Sequence, residues 1–183
     1  MTSPIIGPDS ETAKALMPAR RAKAGLAYAE GLTLATEALR GTWPIEAVVL
    51  DAGFAETPDG EHVATLARSR RAKVHLAAAR TVAKLSAVDS PPPVAVALRP
   101  VAHPLESMLE GVGRLLILDR VADPGNAGAL VRTAVAFGAR VLLTRGSVAL
   151  ANDKLVRATA GVCFHPKAAA EVGPAAELAP TLH

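Results

Sequence analysis

The chain has 183 residues, half of them apolar, and a net charge of +3, which suits one or two globular domains. No apolar run reaches the roughly 18–20 residues that a membrane helix needs, and the first residues have neither the basic nor the apolar region of a signal peptide. The single cysteine, Cys163, excludes an internal disulfide. We therefore expect a cytoplasmic protein in which Cys163 is a small buried residue.

The positive charge is distributed unevenly. Residues 111–183 contain eight Lys or Arg against five Asp or Glu, so the whole excess lies there. The neutral remainder still contains two tight basic clusters, which are Arg20, Arg21 and Lys23, then Arg68, Arg70, Arg71 and Lys73. Such clusters either neutralise nucleic-acid phosphates or form a solvated surface. Five aromatic residues are too few to favour readout of single strands by base stacking.

Helical and strand-like patterns alternate through residues 1–99, which predicts a small α/β domain. Helices are predicted at 10–18 (ending at Pro18), 30–39 (ending at Gly41), 61–69 and 78–86. Strands are predicted at 45–50, 73–76 and 94–98, and turns at 20–23 and 57–60. Residues 100–112 have no clear periodicity and are predicted to be a linker with one helical turn at 105–109.

A strand–helix–strand pattern opens the C-terminal region, and its short connections predict a parallel pair of strands. The predicted elements are a strand at 114–118, helices at 127–137 and 153–160, strands at 140–144 and 162–164, and a helical or frayed tail at 174–183. So few parallel strands leave apolar edges open, and so small a domain buries little surface. The sequence therefore predicts that residues 113–183 form only part of a larger domain.

The turn between the first strand and helix of this region lies where open α/β sheets bind their ligands. Asn126 is predicted to cap the helix, and Gly125 and Gly128 let a backbone or a ligand approach closely. Arg132, one turn after Gly128, can bind a phosphate or carboxylate through two hydrogen bonds; the alternative is a surface ion pair. The spacing fits neither a Rossmann dehydrogenase nor a P-loop ATPase, and the histidines suggest no metal site.

Residues 118–134 closely resemble the first motif of the SpoU (TrmH-type) RNA ribose 2′-O-methyltransferases, which belong to the SPOUT superfamily. The motif pattern N-x-G-x-x-x-R-x-A is matched by Asn126, Gly128, Arg132 and Ala134. Residues 154–164, which read K-L-V-R-A-T-A-G-V-C-F, resemble the second motif, roughly K-x-x-R-A-S-x-G-A-x-F. A looser match covers the N-terminal region, through the basic turn at 20–23 and Tyr-Ala-Glu-Gly at 28–31.

This resemblance implies a domain organisation. Residues 1–99 would be an L30e-like RNA substrate-binding domain, residues 100–112 a linker, and residues 113–183 an incomplete parallel-sheet methyltransferase domain of the SPOUT, trefoil-knot type.

The resemblance also implies a chemistry. S-adenosylmethionine would donate a methyl group to a ribose 2′-hydroxyl of ribosomal or transfer RNA. Arg132 would orient or activate that hydroxyl, Asn126 would be a catalytic positioning residue, and Gly161 would lie at the rim of the cofactor pocket. The residues expected to contact RNA are Arg20, Arg21, Lys23 and Arg132.

The family's third motif, a Gly/Glu-rich loop followed by S-L-N-V-S, has no match in these 183 residues. In the family this segment supplies most of the cofactor pocket and part of the homodimer surface. The resemblance therefore predicts a truncated enzyme, with a non-catalytic RNA-binding remnant as the alternative. A third hypothesis is a small-molecule-binding α/β protein unrelated to RNA.

Overall fold

The structure, a computed structural model, describes residues 5–178, apart from the side chains at 176 and 177, and contains two sheets. The first has the order β1-β4-β2-β3, with strands Ala27–Glu30 (β1), Ile45–Asp51 (β2), Val74–Ala77 (β3) and Val94–Leu98 (β4). Strand β4 is antiparallel to both β1 and β2, whereas β2 and β3 are parallel. The three strands predicted in this region are confirmed, and β1 is one that the sequence analysis missed.

Five α-helices accompany this sheet: Glu11–Leu16 (α1), Pro18–Lys23 (α2), Leu32–Arg40 (α3), Pro58–Ser69 (α4) and Ala79–Leu85 (α5). Alternate residues of β2 point to opposite faces. Val48 and Leu50 share one core cluster with α3 and α4, and Ala47 and Val49 share another with α1 and α5. Both faces of the sheet are therefore covered.

The second sheet is parallel, with the order β5-β6-β7. Its strands are Leu115–Leu118 (β5), Arg140–Leu143 (β6) and Ala169–Glu171 (β7), and its helices are Leu105–Leu109 (α6), Pro124–Ala136 (α7), Asp153–Ala158 (α8) and Ala175–Leu178 (α9). The predicted parallel pair and the α/β class are confirmed. The part of the predicted tail at residues 179–183 lies outside the described residues.

The third strand of this sheet was predicted at the wrong place. Residues 162–164 form a 3-10 helix, and the strand is at 169–171. Gly161, with φ +87°, turns the chain into this 3-10 helix, which buries Cys163 and Phe164. These apolar residues fill the core between the sheets, whereas a strand there would have spread them along an edge.

Phe164 joins the two sheets. Its ring meets that of Trp43 edge-on, with centroids 5.1 Å apart, and its carbonyl accepts a hydrogen bond of 2.8 Å from the backbone N–H of Thr42. A Cβ on Gly41 would lie 2.5 Å from the Cβ of Phe164. One continuous core cluster therefore includes residues of both sheets.

Two predictions around the first sheet fail because a proline that was expected to end a helix or form a turn instead begins a helix. Pro18 begins α2 instead of ending a helix, since proline at the first helical position has the right φ and needs no hydrogen-bond partner. The basic residues at 20–23 are therefore helical. Likewise, the predicted turn at 57–60 is the start of α4, where the hydroxyl of Thr57 accepts a hydrogen bond from the N–H of Gly60 and Pro58 follows the cap.

The predicted helix at 30–39 begins two residues later than expected. Glu30 ends β1, and Gly31, with φ +92°, separates this strand from α3. Within residues 5–178, no helix combines the length and apolar character needed to cross a bilayer.

Candidate functional site

Helix α7 begins at the carboxyl end of β5, and the structure corrects its predicted cap. The Oδ1 atom of Asp123 accepts a hydrogen bond of 2.7 Å from the backbone N–H of Asn126, so Asp123 is the N-cap and Pro124 the first helical residue. Asn126 lies one turn into the helix with an exposed side chain. Its amide is therefore available to a ligand and is not used to cap the helix.

Gly128 lies at the contact between the two segments, residues 118–134 and 154–164, that resemble the family motifs. A Cβ on this glycine would lie 2.3 Å from the Cβ of Ala158 in α8, a separation that no pair of side chains tolerates. The predicted close approach of another backbone is confirmed, and that backbone is the second motif. Residues assigned to different motifs therefore lie on two helices in direct contact.

Arg132 is exposed. Among the side chains of residues 5–175 and 178 it has neither an ion-pair partner nor a side-chain hydrogen bond, so the alternative of a surface ion pair is not observed there. Helical geometry places it about 40° around the axis from Gly128 and about 6 Å further along. Arg132 therefore lies beside the contact between α7 and α8, with its guanidinium free to meet an anion.

The buried stripe of α7 leaves out two of its large apolar side chains. Ala127 and Val131 are fully buried, whereas Leu130 and Phe137 are 41% and 71% exposed. The close contact at Gly128 rotates α7 so that its other face meets α8 and the core. An apolar face of the helix is left at the surface.

Gly161 has a packing role. With φ +87° it occupies the left-handed region, and a Cβ there would lie 2.8 Å from the Cβ of Glu37 in α3. Its position is buried, which does not suit a residue at the rim of a cofactor pocket. The backbone turn and the close approach of α3 explain why glycine is required at this position.

Arg21 is buried, so the predicted RNA-binding cluster does not form a continuous surface. Its side chain is 1% exposed. Its Nη1 donates to the carbonyls of Leu16 and Leu85, both at 2.6 Å, and its Nη2 pairs with Oδ2 of Asp153 at 2.9 Å. The guanidinium carbon also lies 3.7 Å from the ring centre of Tyr28, whose pKa is raised by burial. The guanidinium joins α2 to α8 and is not available to RNA.

Other members of the two basic clusters are either exposed to solvent or hydrogen-bonded to the backbone. Arg20 and Lys23 are exposed, as the prediction of an RNA-binding surface requires. Arg70 is occupied: it donates to the carbonyls of Leu39, Gly41 and Trp43 at the end of α3.

Cys163 is fully buried, as predicted. Burial raises the pKa of its thiol to about 12, and the hydroxyl of Thr159 donates a hydrogen bond of 3.2 Å to its sulfur. The thiol is therefore protonated and unreactive at neutral pH. Among residues 5–178 no group of three or more His, Cys, Asp or Glu side chains could hold a metal ion.

Two cavities lie near the helices of the motifs. One, of about 290 Å³, is at the carboxyl edge of the second sheet, between the loop that follows β6 and the end of β7. The other, of about 460 Å³, lies between α2 and the start of α7 and α8, and Lys154 and Arg157 line it. Neither Lys154 nor Arg157 was predicted to have a role, because their only sequence signal is the K-x-x-R spacing at the start of the second motif.

The C-terminal region matches known proteins in sequence. Residues 113–182 match the family model described as SpoU rRNA Methylase family. Over 76 residues the chain is 42% identical to rRNA methyltransferase 3B, mitochondrial, of Danio rerio, a match covering 39% of this chain and 17% of that protein. Over 66 residues it is 39% identical to the 23S rRNA (guanosine(2553)-2′-O)-methyltransferase RlmP of Bacillus subtilis (strain 168), covering 36% and 27%. The matches thus span well under two thirds of these curated relatives.

Solved structures match nearly the whole chain. The AdoMet-bound rRNA methyltransferase from Sinorhizobium meliloti has a TM-score of 0.77 at 27% identity, covering 96% of this chain and 66% of that one. The SpoU methyltransferase AviRb from Streptomyces viridochromogenes, in complex with AdoMet, has a TM-score of 0.74 at 22% identity, covering 93% and 65%; at this identity the likeness concerns the fold. The C-terminal region of this chain is therefore similar in sequence to the SpoU rRNA methylase family, and the chain is similar in fold to solved rRNA methyltransferases.

Proposed function

We propose that this protein is an RNA ribose 2′-O-methyltransferase that uses S-adenosylmethionine. The observation that carries the proposal is the exposed, unpaired guanidinium of Arg132 beside the contact of the two motif helices. The family of the C-terminal region supports the reaction class, and the AdoMet in the two matching solved structures supports the cofactor.

The cavity at the carboxyl edge of the second sheet fits the polar groups of such a cofactor. Arg145 can pair with its carboxylate, and the carboxylate of Glu171, which accepts a hydrogen bond from the backbone N–H of Leu150, can also accept from its ammonium group. The hydroxyls of Thr144 and Ser147 line the cavity, but each already donates one hydrogen bond and accepts another within the protein. At about 290 Å³, the cavity lies at the lower limit of small-molecule sites, so these residues would hold part of the ligand. When bound, S-adenosylmethionine supplies an electrophilic methyl group.

Arg132 binds and orients the acceptor in this proposal. A guanidinium stays protonated at any physiological pH, so the proton of the ribose hydroxyl passes to a solvent water and not to Arg132. It can grip the phosphate next to that ribose through two hydrogen bonds, which holds the hydroxyl oxygen in line for attack and stabilises negative charge that develops on it. Asn126 lies about 9 Å closer to the start of the helix, and its amide can hold a neighbouring part of the nucleotide.

The partners and the location are parts of the same proposal. The substrate is a structured ribosomal or transfer RNA, and Arg20 and Lys23 contribute to its binding. The homodimer implied by the resemblance stays a prediction, which light scattering on the purified protein would test. We propose a cytoplasmic location, whereas the names of the matched relatives from Danio rerio and Homo sapiens place those proteins in mitochondria.

The test is methyl transfer from tritiated S-adenosylmethionine to ribosomal RNA, followed by mapping of the product as 2′-O-methylribose. We expect Arg132→Ala to lower transfer by about 100-fold or more, because it removes a preorganised charge next to the reacting group. Its free energy of unfolding should change by less than about 0.5 kcal/mol, since the side chain is exposed and unpaired.

Full transfer by Arg132→Ala would remove Arg132 from the mechanism. No transfer by the wild type, with RNA binding retained, would favour the alternative of a non-catalytic RNA-binding protein.

A further inference from the structure

The larger cavity, about 460 Å³ in volume, has an unbalanced charge. It lies between α2, in the N-terminal unit that holds the first sheet (residues 5–98), and α7 and α8, in the C-terminal unit that holds the second sheet (residues 105–178). Its acidic lining residue, Asp153, is engaged by Arg21 at 2.9 Å. Its two cationic lining residues, Lys154 and Arg157, have no ion-pair partner among the side chains of residues 5–175 and 178. The cavity therefore presents net positive charge to whatever enters it.

Arg157 carries the most specific observation. One of its guanidinium nitrogens, Nη1, is buried and has no hydrogen-bond acceptor among residues 5–178. Buried polar groups in folded proteins are almost always hydrogen-bonded, and a buried donor on a charged group is especially costly to leave unpaired. Because Nη1 has no accessible surface, a negatively charged acceptor brought by a ligand would satisfy it only after the Arg157 side chain, which lines the cavity, turned toward that ligand.

The lining of the cavity also includes apolar residues, among them Pro18, Leu26 and Pro124. A volume of this size is within the range of small-molecule sites. A lining that combines cations with apolar side chains suits a nucleotide, whose phosphate is anionic and whose sugar and base present flat, weakly polar surfaces. Pro124 begins α7, so the cavity adjoins the turn that carries Asn126.

The walls are held before any ligand arrives. Arg21 fixes the start of α8 against α2 through Asp153. The buried carboxylate of Glu30 accepts a hydrogen bond of 3.1 Å from the backbone N–H of Ala87, which lines another part of the cavity, and a second one of 2.5 Å from the hydroxyl of Ser86. A preformed site loses less conformational entropy on binding.

We propose that this cavity binds one nucleotide of the RNA substrate, next to the nucleotide that is methylated, with its phosphate held by Arg157 and Lys154. The identity of the ligand rests on the proposed function. The cavity would thereby fix the register of the RNA relative to Arg132.

The test is binding of a fluorescein-labelled 23S ribosomal RNA hairpin to the full chain, measured by anisotropy without S-adenosylmethionine over a series of salt concentrations. We expect Arg157→Gln to weaken binding about tenfold, the effect of losing a hydrogen bond between charged groups. The slope of log affinity against log salt should fall in magnitude by about 0.7–0.9, the value for one neutralised phosphate. Arg157→Lys should keep the slope, since it keeps the charge.

The matched control is Arg114→Gln. Arg114 is exposed and donates to the carbonyl of Phe137 at the far end of α7, about 20 Å from the cavity by helical rise. Its substitution should leave both affinity and slope unchanged. Lys154→Gln, at an exposed position, repeats the test without disturbing a buried group and should lower the slope by a similar amount.

Unchanged affinity and slope in Arg157→Gln and Lys154→Gln would overturn the inference. So would binding of adenosine 5′-monophosphate as tightly as the hairpin, because the cavity would then take a free nucleotide. The proposed function fails separately: weakened RNA binding by these variants, with no methyl transfer by the wild type, would leave the cavity assigned and the enzyme rejected. Conversely, methyl transfer by Arg157→Gln with the wild-type KM for RNA would leave the enzyme assigned and the cavity rejected.

Discussion

Two arginines of the N-terminal unit and two arginines of helices α7 and α8 have opposite surroundings. In the N-terminal unit, the protein itself occupies Arg21 and Arg70, with backbone carbonyls and, for Arg21, a carboxylate. Along α7 and α8, Arg132 has no partner among the described side chains, and Arg157 lacks one for a buried nitrogen. Clustering in the sequence is thus a poor guide to binding, because the basic clusters include structural residues, and an isolated arginine is either available, as Arg132 is, or occupied by carbonyls, as Arg140 is.

Arg21 also has a buried nitrogen, Nε, that has no partner among the described side chains. Its two terminal nitrogens are nevertheless satisfied by Leu16, Leu85 and Asp153, and the ring of Tyr28 covers its face. Arg21 is enclosed by the fold, whereas Arg157 lines an accessible cavity.

Replacing Arg21 gives the largest expected loss of stability. Arg21→Met should lower the free energy of unfolding by about 3–5 kcal/mol, because it leaves Asp153 and two carbonyls without their donor. Urea denaturation followed by circular dichroism measures this loss. A loss under about 1 kcal/mol would show that the guanidinium is replaceable, and the contrast between the two units would weaken. The double variant Arg21→Met, Asp153→Leu should recover part of the loss, because it also removes the unpaired carboxylate.

Arg70 should have the next largest effect. Arg70→Gln removes the donor to three carbonyls at the end of α3 and should cost about 1–3 kcal/mol of unfolding free energy. The neighbouring Arg71, which is exposed, supplies the control: Arg71→Gln should change stability by less than about 0.5 kcal/mol. Equal losses in both variants would mean that the hydrogen bonds to the carbonyls add nothing.

The exposed pair on α2 should show the smallest effect. Joint replacement of Arg20 and Lys23 by Gln should leave stability within about 0.5 kcal/mol and weaken hairpin binding only a few-fold. The salt slope should fall by about 0.7–0.9 for each phosphate that these side chains neutralise in the wild type. An unaltered slope would assign these two residues to solvated surface and confine RNA binding to α7 and α8.

Local pattern predicted much of the fold. The strands around 45–50, 94–98 and 114–118, the parallel pair and the close approach at Gly128 follow from apolar runs, short connections and the size of glycine. Short runs were less decisive: Val-Cys-Phe at 162–164 has strand-like composition, yet Ala-Ala-Glu at 169–171 forms the strand. In a run of only three residues, burial against the rest of the protein outweighs the intrinsic strand propensity of the residues.

The site depends on long-range contacts that no local pattern contains. Arg21 bonds to residues 64 and 132 positions away, so its neighbours in sequence could not reveal its burial. The cap of α7 was closer to prediction, since Asp123 and Asn126 are equally good capping residues. The decisive signal was Pro124, which favours the first helical position directly after its cap.

The seating of Phe164 against Gly41 and Trp43 bears on how the molecule moves. An aromatic ring held edge-on by another, with a backbone hydrogen bond beside it, resists sliding and opening. The segment at 99–114, which joins the two sheets, packs against the second sheet through the buried Met108 of α6, and residues of both sheets share one core cluster. A ligand that displaces one sheet would therefore displace residues of the other through this shared interior.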